Sequence, residues 1–248
     1  MRAVILAAGR GSRMNTLTED QPKCLVELDH KPLIRRQIAA LRGGGVSAIG
    51  IVRGYLGNRI NVEDVTYFEN PRWGETNMVM SLVAAGAWLE SDSVVISYAD
   101  IFYGRDAVRD LAATSGDLVV AYDRDWRSLW ARRFADPLSD AETFRTDARG
   151  NLIEIGRRTT RIDDIEGQYM GLLKFTPQAW RAVEKVLAAA DAKTRDAMDM
   201  TTLLRALLDS GFSVKTVGIA GHWGEIDSSG DLELYEQMIR EGNLCLES

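Results

Sequence analysis

Over its first half the chain alternates short apolar runs with amphipathic stretches, and this rhythm limits the possible folds more than any other feature. Arg2–Ala7 is an apolar run that ends near Gly9, so it reads as a buried strand entering a glycine turn. Pro32–Leu41 predicts a helix with proline in its first turn and the Gly43–Gly45 cluster as its stop. Ser47–Val52 and Val65–Phe68 read as strands. Asn77–Glu90 reads as one helix with Met78, Leu82, Ala85 and Leu89 on a single face. Ser93–Tyr98 (strand), Asp106–Ala113 (helix) and Leu118–Tyr122 (strand) continue the pattern. Strands separated by helices predict an α/β fold with a doubly wound, mainly parallel, Rossmann-like sheet. Such sheets bind ligands at the carboxyl ends of their strands, where the Gly9 turn and Asp100 both fall.

Between Asp123 and Lys174 the rhythm changes. Short extended pieces (Glu142–Arg145, Leu152–Ile155, Tyr169–Phe175) surround turn signals, which predicts a small antiparallel lobe inserted over the sheet's edge at about 123–175. A helix capped by Thr176-Pro177, a helix over Met200–Leu208, a strand over Ser213–Val217 and a helix over Leu232–Arg240 complete the chain. Without repeat or linker, 1–248 is expected to be one domain. No apolar run approaches the ~20 residues of a membrane helix, and Ala3–Ala8 is too short a core for a signal peptide. Cys24 and Cys245 make no disulfide framework. A cytoplasmic protein with no membrane partner is expected. The net charge of −6 argues against a nucleic-acid partner held on a broad basic face. Residues 1–60 nevertheless carry +6 and the remainder −12. That asymmetry suits an N-terminal part that meets an anion and a later part whose carboxylates hold a cation.

The glycine turn is not a dinucleotide fingerprint, because Met14 stands where the third glycine of G-x-G-x-x-G belongs, and no P-loop motif exists in the chain. What remains is a turn whose backbone N–H groups can surround phosphate oxygens, with Arg10 and Arg13 adding charge and Lys23 following between Pro22 and Cys24. That set suits a triphosphate; the plainer reading is a turn and a solvated loop. His30 and His222 have no histidine partner at ligand spacing, so zinc is unsupported.

Leu6-Ala7-Ala8-Gly9-Arg10-Gly11-Ser12-Arg13-Met14, followed by Pro22-Lys23, resembles the signature of nucleotidyltransferases that activate phosphorylated small molecules with a nucleoside triphosphate. Four further stretches are similar to the phosphocholine and 2-aminoethylphosphonate cytidylyltransferase branch of these sugar-phosphate nucleotidyltransferase-like enzymes. They are Glu75–Leu82, Asp136–Glu142, Gly167–Gly171 and Trp223–Asp227. The resemblance implies transfer of CMP from CTP to a small phosphonate or phosphate acceptor, with Mg²⁺ as cofactor and pyrophosphate released. Arg13 is then expected on the leaving phosphates and Lys23 between the α-phosphate and the acceptor. Residues Leu6 to Ser12, with Thr76 and Asn77, are expected on the nucleotide, although Asn77 is equally well read as a helix N-cap. Asp100 and Asp227 are the expected metal ligands, both also readable as helix caps, and Glu225 either joins them or touches the acceptor.

Trp126, Trp130, Asp140, Glu142, Arg157, Tyr169 and Trp223 are the expected acceptor-site residues, with Arg158 beside Arg157 available to the acceptor's anionic end. The two lobe tryptophans are alternatively packing groups. 2-Aminoethylphosphonate is favoured over phosphocholine as acceptor. Two other readings stand beside this one: a sugar- or inositol-1-phosphate nucleotidyltransferase using another base, and a non-catalytic nucleotide-sensing domain. The presence of Arg13, Lys23, Asp100 and Asp227 together argues against the last.

Overall fold

The computed structural model describes residues 1–246, apart from the side chains of Asn15 and Thr16. Strand β1 (Arg2–Ala7) runs into the glycine turn and a 3₁₀ segment (Ser12–Thr18), then reaches the two-residue ladder of β2 (Glu27–Leu28) and β3 (Lys31–Pro32). Next come α1 (Leu33–Gly43), β4 (Ala48–Arg53), β5 (Thr66–Glu69), α2 (Met78–Ala84) and α3 (Gly86–Ser91). They are followed by β6 (Val94–Tyr98), β7 (Ile101–Tyr103), α4 (Arg105–Ala113) and β8 (Leu118–Asp123). The middle of the chain holds α5 (Trp126–Arg133), β9 (Phe144–Thr146), β10 (Leu152–Ile155) and β11 (Gln168–Phe175). It closes with α6 (Pro177–Ala189), α7 (Ala192–Ala197), α8 (Met200–Asp209), β12 (Lys215–Ile219), β13 (Trp223–Glu225) and α9 (Ser229–Arg240). No helix among the described residues is long and apolar enough to cross a membrane.

Seven strands form the main sheet in the order β12-β8-β11-β6-β1-β4-β5. β1 pairs in parallel with β4 and β6, β4 with β5, and β8 with β12. The winding turns from β4 and β5 on one side of β1 to β6 on the other, and this switch point leaves a crevice at the carboxyl ends of β1 and β6. From Ala3 onward β1 is apolar and buried because both of its faces are covered. Ala3, Ile5 and Ala7 join the core shared with α1 and α4, whereas Val4 and Leu6 join the opposite core with α2, α6 and α8.

Two expectations need correcting. Tyr169–Phe175 is not part of the inserted lobe: β11 lies inside the main sheet, antiparallel to β6 and β8. Its run from Met170 to Phe175 is wholly buried, as a strand covered on both faces must be. Of the three extended pieces expected in the lobe, β9 and β10 form an antiparallel pair apart from the main sheet. The predicted Asn77–Glu90 helix is also two helices. Ala85, at φ −97° and ψ 13°, ends the first, and Gly86 opens the second close against Trp180.

β11 carries a bulge between Tyr169 and Leu173. Gly171 sits there at φ +72°, and a Cβ on it would lie 2.7 Å from the Tyr98 ring. The irregularity lets Tyr169 meet Tyr98 edge to face at 5.7 Å.

Candidate active site

The loop after β1 is built around Gly11 and Lys23. Gly11 has φ +69°, and a Cβ there would stand 2.7 Å from the Lys23 side chain, so glycine gives the lysine its path. Met14 N–H and the Thr18 hydroxyl both donate to the Gly11 carbonyl, at 3.0 and 3.1 Å, which tightens the turn. The crevice above is an open cleft of about 270 Å³. Leu6, Ala7, Ala8, Gly9, Gly11, Ser12, Arg13 and Lys23 line it from the loop side, with Thr76, Asn77, Tyr98, Asp100 and Asp227 opposite. Arg10 does not line it; its guanidinium lies 5.6 Å over the Tyr55 ring. The Asn77 side chain acts as a cap. Its amide oxygen accepts from Met78 N–H at 2.7 Å, and its amide nitrogen donates to the Ala197 carbonyl at 3.2 Å.

The carboxylates converge through a pairing between two three-residue strands. β13 runs antiparallel to β7 with Glu225 opposite Ile101, and Ile226 N–H donates to the Asp100 carbonyl at 2.9 Å. Asp227 is thereby set beside Asp100, and one oxygen from each of Asp100, Glu225 and Asp227 lies within 4.8 Å of the others. The Lys23 ammonium is held between them. It donates to Asp100 Oδ2 at 2.7 Å and to Asp227 Oδ1, while Arg13 meets Asp227 Oδ2 at 2.6 Å. Burial works to lower the lysine's pKa, but Asp100 and Asp227 outweigh it and hold the ammonium above the ordinary lysine value. Burial, with Asp227 and Asp100 adding to it, pushes the Glu225 carboxyl up to about 7. The other Asp100 oxygen, Oδ1, is buried without a hydrogen-bond partner. Three converging carboxylates and one orphaned oxygen are a donor set of the hard kind magnesium takes.

A second cavity, about 260 Å³, adjoins the cleft, and Arg13 and Asp227 line both. Its walls include Trp130, Asp140, Glu142, Thr143, Arg158, Gln168, Tyr169 and Glu225. Trp130 Nε1–H donates to Asp140 Oδ2 at 3.0 Å, which fixes that carboxylate at the rim. Burial pushes the Glu142 carboxyl pKa up while Arg158 pulls it down. Three expected residues lie elsewhere. Trp126 is buried and packs edge to face on Trp130, and Trp223 stacks behind Trp130 with ring centroids 6.0 Å apart. Arg157 engages Thr143 through its backbone, and the neighbouring Arg158 lines the cavity in its place.

Residues 3–207 match the family described as the MobA-like NTP transferase domain. The chain belongs to this family. CTP:phosphoglutamine cytidylyltransferase of Campylobacter jejuni is 39% identical over 253 residues, covering 94% of this chain and 98% of its own. UTP–glucose-1-phosphate uridylyltransferase of Haloferax volcanii is 46% identical over 252 residues and 97% of each chain. The solved structure of CTP:phosphocholine cytidylyltransferase from Streptococcus pneumoniae matches at a TM-score of 0.71 and 20% identity, covering 96% of this chain and 98% of that one. At that identity it bears on the fold alone.

Residues that no sequence pattern singled out also shape this part of the transferase. Asn70, in the turn before Pro71, donates to the hydroxyls of Thr76 at 3.2 Å and Ser81 at 3.1 Å, setting one side of the cleft. α7 backs the same side, where Asn77 N–H donates to the Asp196 carbonyl at 2.7 Å. Arg133, at the end of α5, has a buried side chain that meets Glu225 Oε2 at 3.3 Å and Asp231 Oδ1 at 2.8 Å. In sequence it is one of several arginines in a charged stretch, and nothing in the local pattern marks it as buried.

Proposed function

We propose that the chain transfers CMP from CTP to a small acceptor bearing a phosphate or phosphonate at one end and an ammonium with N–H donors at the other. The observation that carries this reading is the pair of adjoining cavities that share Arg13 and Asp227. An oxygen of the acceptor's phosphate or phosphonate attacks the α-phosphorus, the bond to the bridging oxygen of the β-phosphate breaks, and pyrophosphate leaves. That oxygen is already ionised near neutral pH, so the chain supplies neither nucleophile nor base. Its task is to bring two anions together and meet the charge between them.

Lys23, which lines the cleft and donates to Asp227 where the two cavities meet, would neutralise the α-phosphate and the approaching acceptor. Arg13 is placed to meet the departing phosphates. Asp100 and Asp227, with Glu225, would hold magnesium, which supplies further charge stabilisation to the triphosphate. The backbone of Leu6–Ser12 and the Thr76 side of the cleft would hold the nucleotide.

The acceptor end follows from the second cavity. A quaternary ammonium is best met by several aromatic faces, but Trp126 and Trp223 are packed away behind Trp130. Asp140 and Glu142 stand beside Trp130 and Tyr169 in its wall, and carboxylates suit an ammonium that can donate hydrogen bonds. 2-Aminoethylphosphonate meets both ends and is favoured over phosphocholine. Phosphoglutamine, the acceptor in the name of the C. jejuni relative, meets them too.

The H. volcanii relative favours a second reading, uridylyl transfer to a sugar 1-phosphate. Pyrophosphate release measured with CTP, UTP, GTP and ATP against five acceptors separates the two. The acceptors are 2-aminoethylphosphonate, phosphoglutamine, phosphoethanolamine, phosphocholine and glucose 1-phosphate. CTP with a primary-amine acceptor is expected to give the highest kcat/KM; UTP with glucose 1-phosphate in first place would replace the proposal.

A further inference from the structure

We propose that Arg133 is a positioning residue that ties the acceptor wall to the carboxylate cluster. The inference rests on reading that cluster as the metal-holding part of the transferase site. Arg133 lines neither cavity, and its side chain is only 1% exposed. A guanidinium is costly to bury unless its donors are matched, and here two of its three nitrogens each meet a carboxylate of their own. Nη1 meets Glu225 Oε2 at 3.3 Å, and Nε donates to Asp231 Oδ1 at 2.8 Å.

Asp231 carries the connection onward. Its second oxygen accepts from Asp227 N–H at 3.0 Å, from Ser228 N–H at 2.9 Å and from the Ser228 hydroxyl at 2.9 Å. This is the capping box that opens α9. Arg133 therefore holds two of the three cluster residues, Glu225 by its side chain and Asp227 through the turn that carries its backbone. On its other face the guanidinium lies 5.0 Å over the Trp130 ring, and Trp130 in turn holds Asp140 at the rim of the acceptor cavity. One buried fork thus fixes the spacing between the acceptor's ammonium end and the cation at its phosphate end.

The test is manganese binding to the metal-free, nucleotide-free protein, followed by electron paramagnetic resonance of the free ion. CTP binding in EDTA and the acceptor KM and kcat are measured in parallel. Simple electrostatics predicts that removing a cation near the carboxylates tightens manganese binding. Positioning predicts the reverse: Arg133→Met should weaken it by about tenfold, the usual cost of removing a group that orients metal ligands. Arg133→Lys, which keeps the charge but not the fork, should weaken it similarly. Asp231→Asn should show a smaller loss that does not add to that of Arg133→Lys. Acceptor KM should rise in all three variants while CTP binding in EDTA stays near wild type. If Arg133→Met does not fold, Arg133→Lys and Asp231→Asn decide the matter. Manganese binding that is unchanged or tighter in folded Arg133 variants overturns the inference. Wild-type protein that takes up neither manganese nor CTP overturns the functional reading beneath it instead.

Discussion

Replacing Lys23 by methionine keeps the length of the side chain and removes the one charge that sits between Asp100 and Asp227. At 2.7 Å from Asp100, and with an effective dielectric of ~20, the Coulomb attraction to that carboxylate alone is roughly 6 kcal/mol. Desolvation of the groups offsets most of this, and the Asp100 side chain keeps 21% of its area in solvent. The net cost of leaving the carboxylates unpaired is therefore taken as about 3 kcal/mol, the low end of the range for a broken buried pair. For a chain of this size each kcal/mol moves the melting midpoint by ~2–4 °C, so Lys23→Met should melt about 6–12 °C below wild type in EDTA. A divalent cation can take the place of the missing charge, and at a hundred times its Kd it returns about 2.7 kcal/mol. Thermal melts of both proteins in EDTA and in rising MgCl₂ test this. The gap should be wide without metal and close as metal is added, while pyrophosphate release stays at least 100-fold down. A variant that melts with wild type in EDTA would show that the lysine does not neutralise the carboxylates, and the account of the cluster would fall.

Glu142→Gln removes one carboxylate from the acceptor cavity and should raise the KM of an amine acceptor by about ten- to hundredfold, the worth of one charge-assisted hydrogen bond. The KM for CTP should hold, and equal shifts in both would remove Glu142 from acceptor binding. The Glu225 carboxyl, raised to about 7 in the fold from its ordinary 4.5, binds its proton more tightly folded than unfolded. The stability this proton supplies is present near pH 5 and is lost as pH rises toward 7 in metal-free protein. Glu225→Gln should therefore gain in melting temperature over wild type across that window in EDTA, and a difference that stays flat with pH would contradict the assignment. Gly171→Ala forces a side chain into the left-handed region and against the Tyr98 ring, so it should cost about 1–3 kcal/mol and raise acceptor KM. Wild-type melting and kinetics would show the bulge to be dispensable.

Local pattern told most where the sheet is most buried. β1, β4, β6 and β8 are legible as apolar runs because both of their faces are covered, and the glycine turn followed by Lys23 marks the phosphate end. Partnership between distant segments is not legible. β7 and β13 are three residues each, too short for any periodicity, yet their pairing is what sets Asp227 beside Asp100. The strand character of Tyr169–Phe175 is plain, but whether it pairs with its neighbours in sequence or threads between β6 and β8 depends on strands far along the chain. Among the tryptophans, chemistry alone cannot rank Trp126, Trp130 and Trp223. All three suit an aromatic wall, and only packing shows that Trp130 stands in front of the other two.

β11 has a consequence for how the protein is assembled. β8 and β12 meet the rest of the sheet only through this one antiparallel strand. A nascent chain that has made β1 through β8 still carries an open edge on β6, because the strand that covers it is encoded after the whole excursion through α5, β9 and β10. Such an edge is a template for misplaced pairing until it is closed. The residues at the start of that closing strand, Gln168 and Tyr169, are also walls of the second cavity. Closing the β6 edge and setting these two walls of the second cavity are therefore one event, so a chain trapped before β11 docks carries neither.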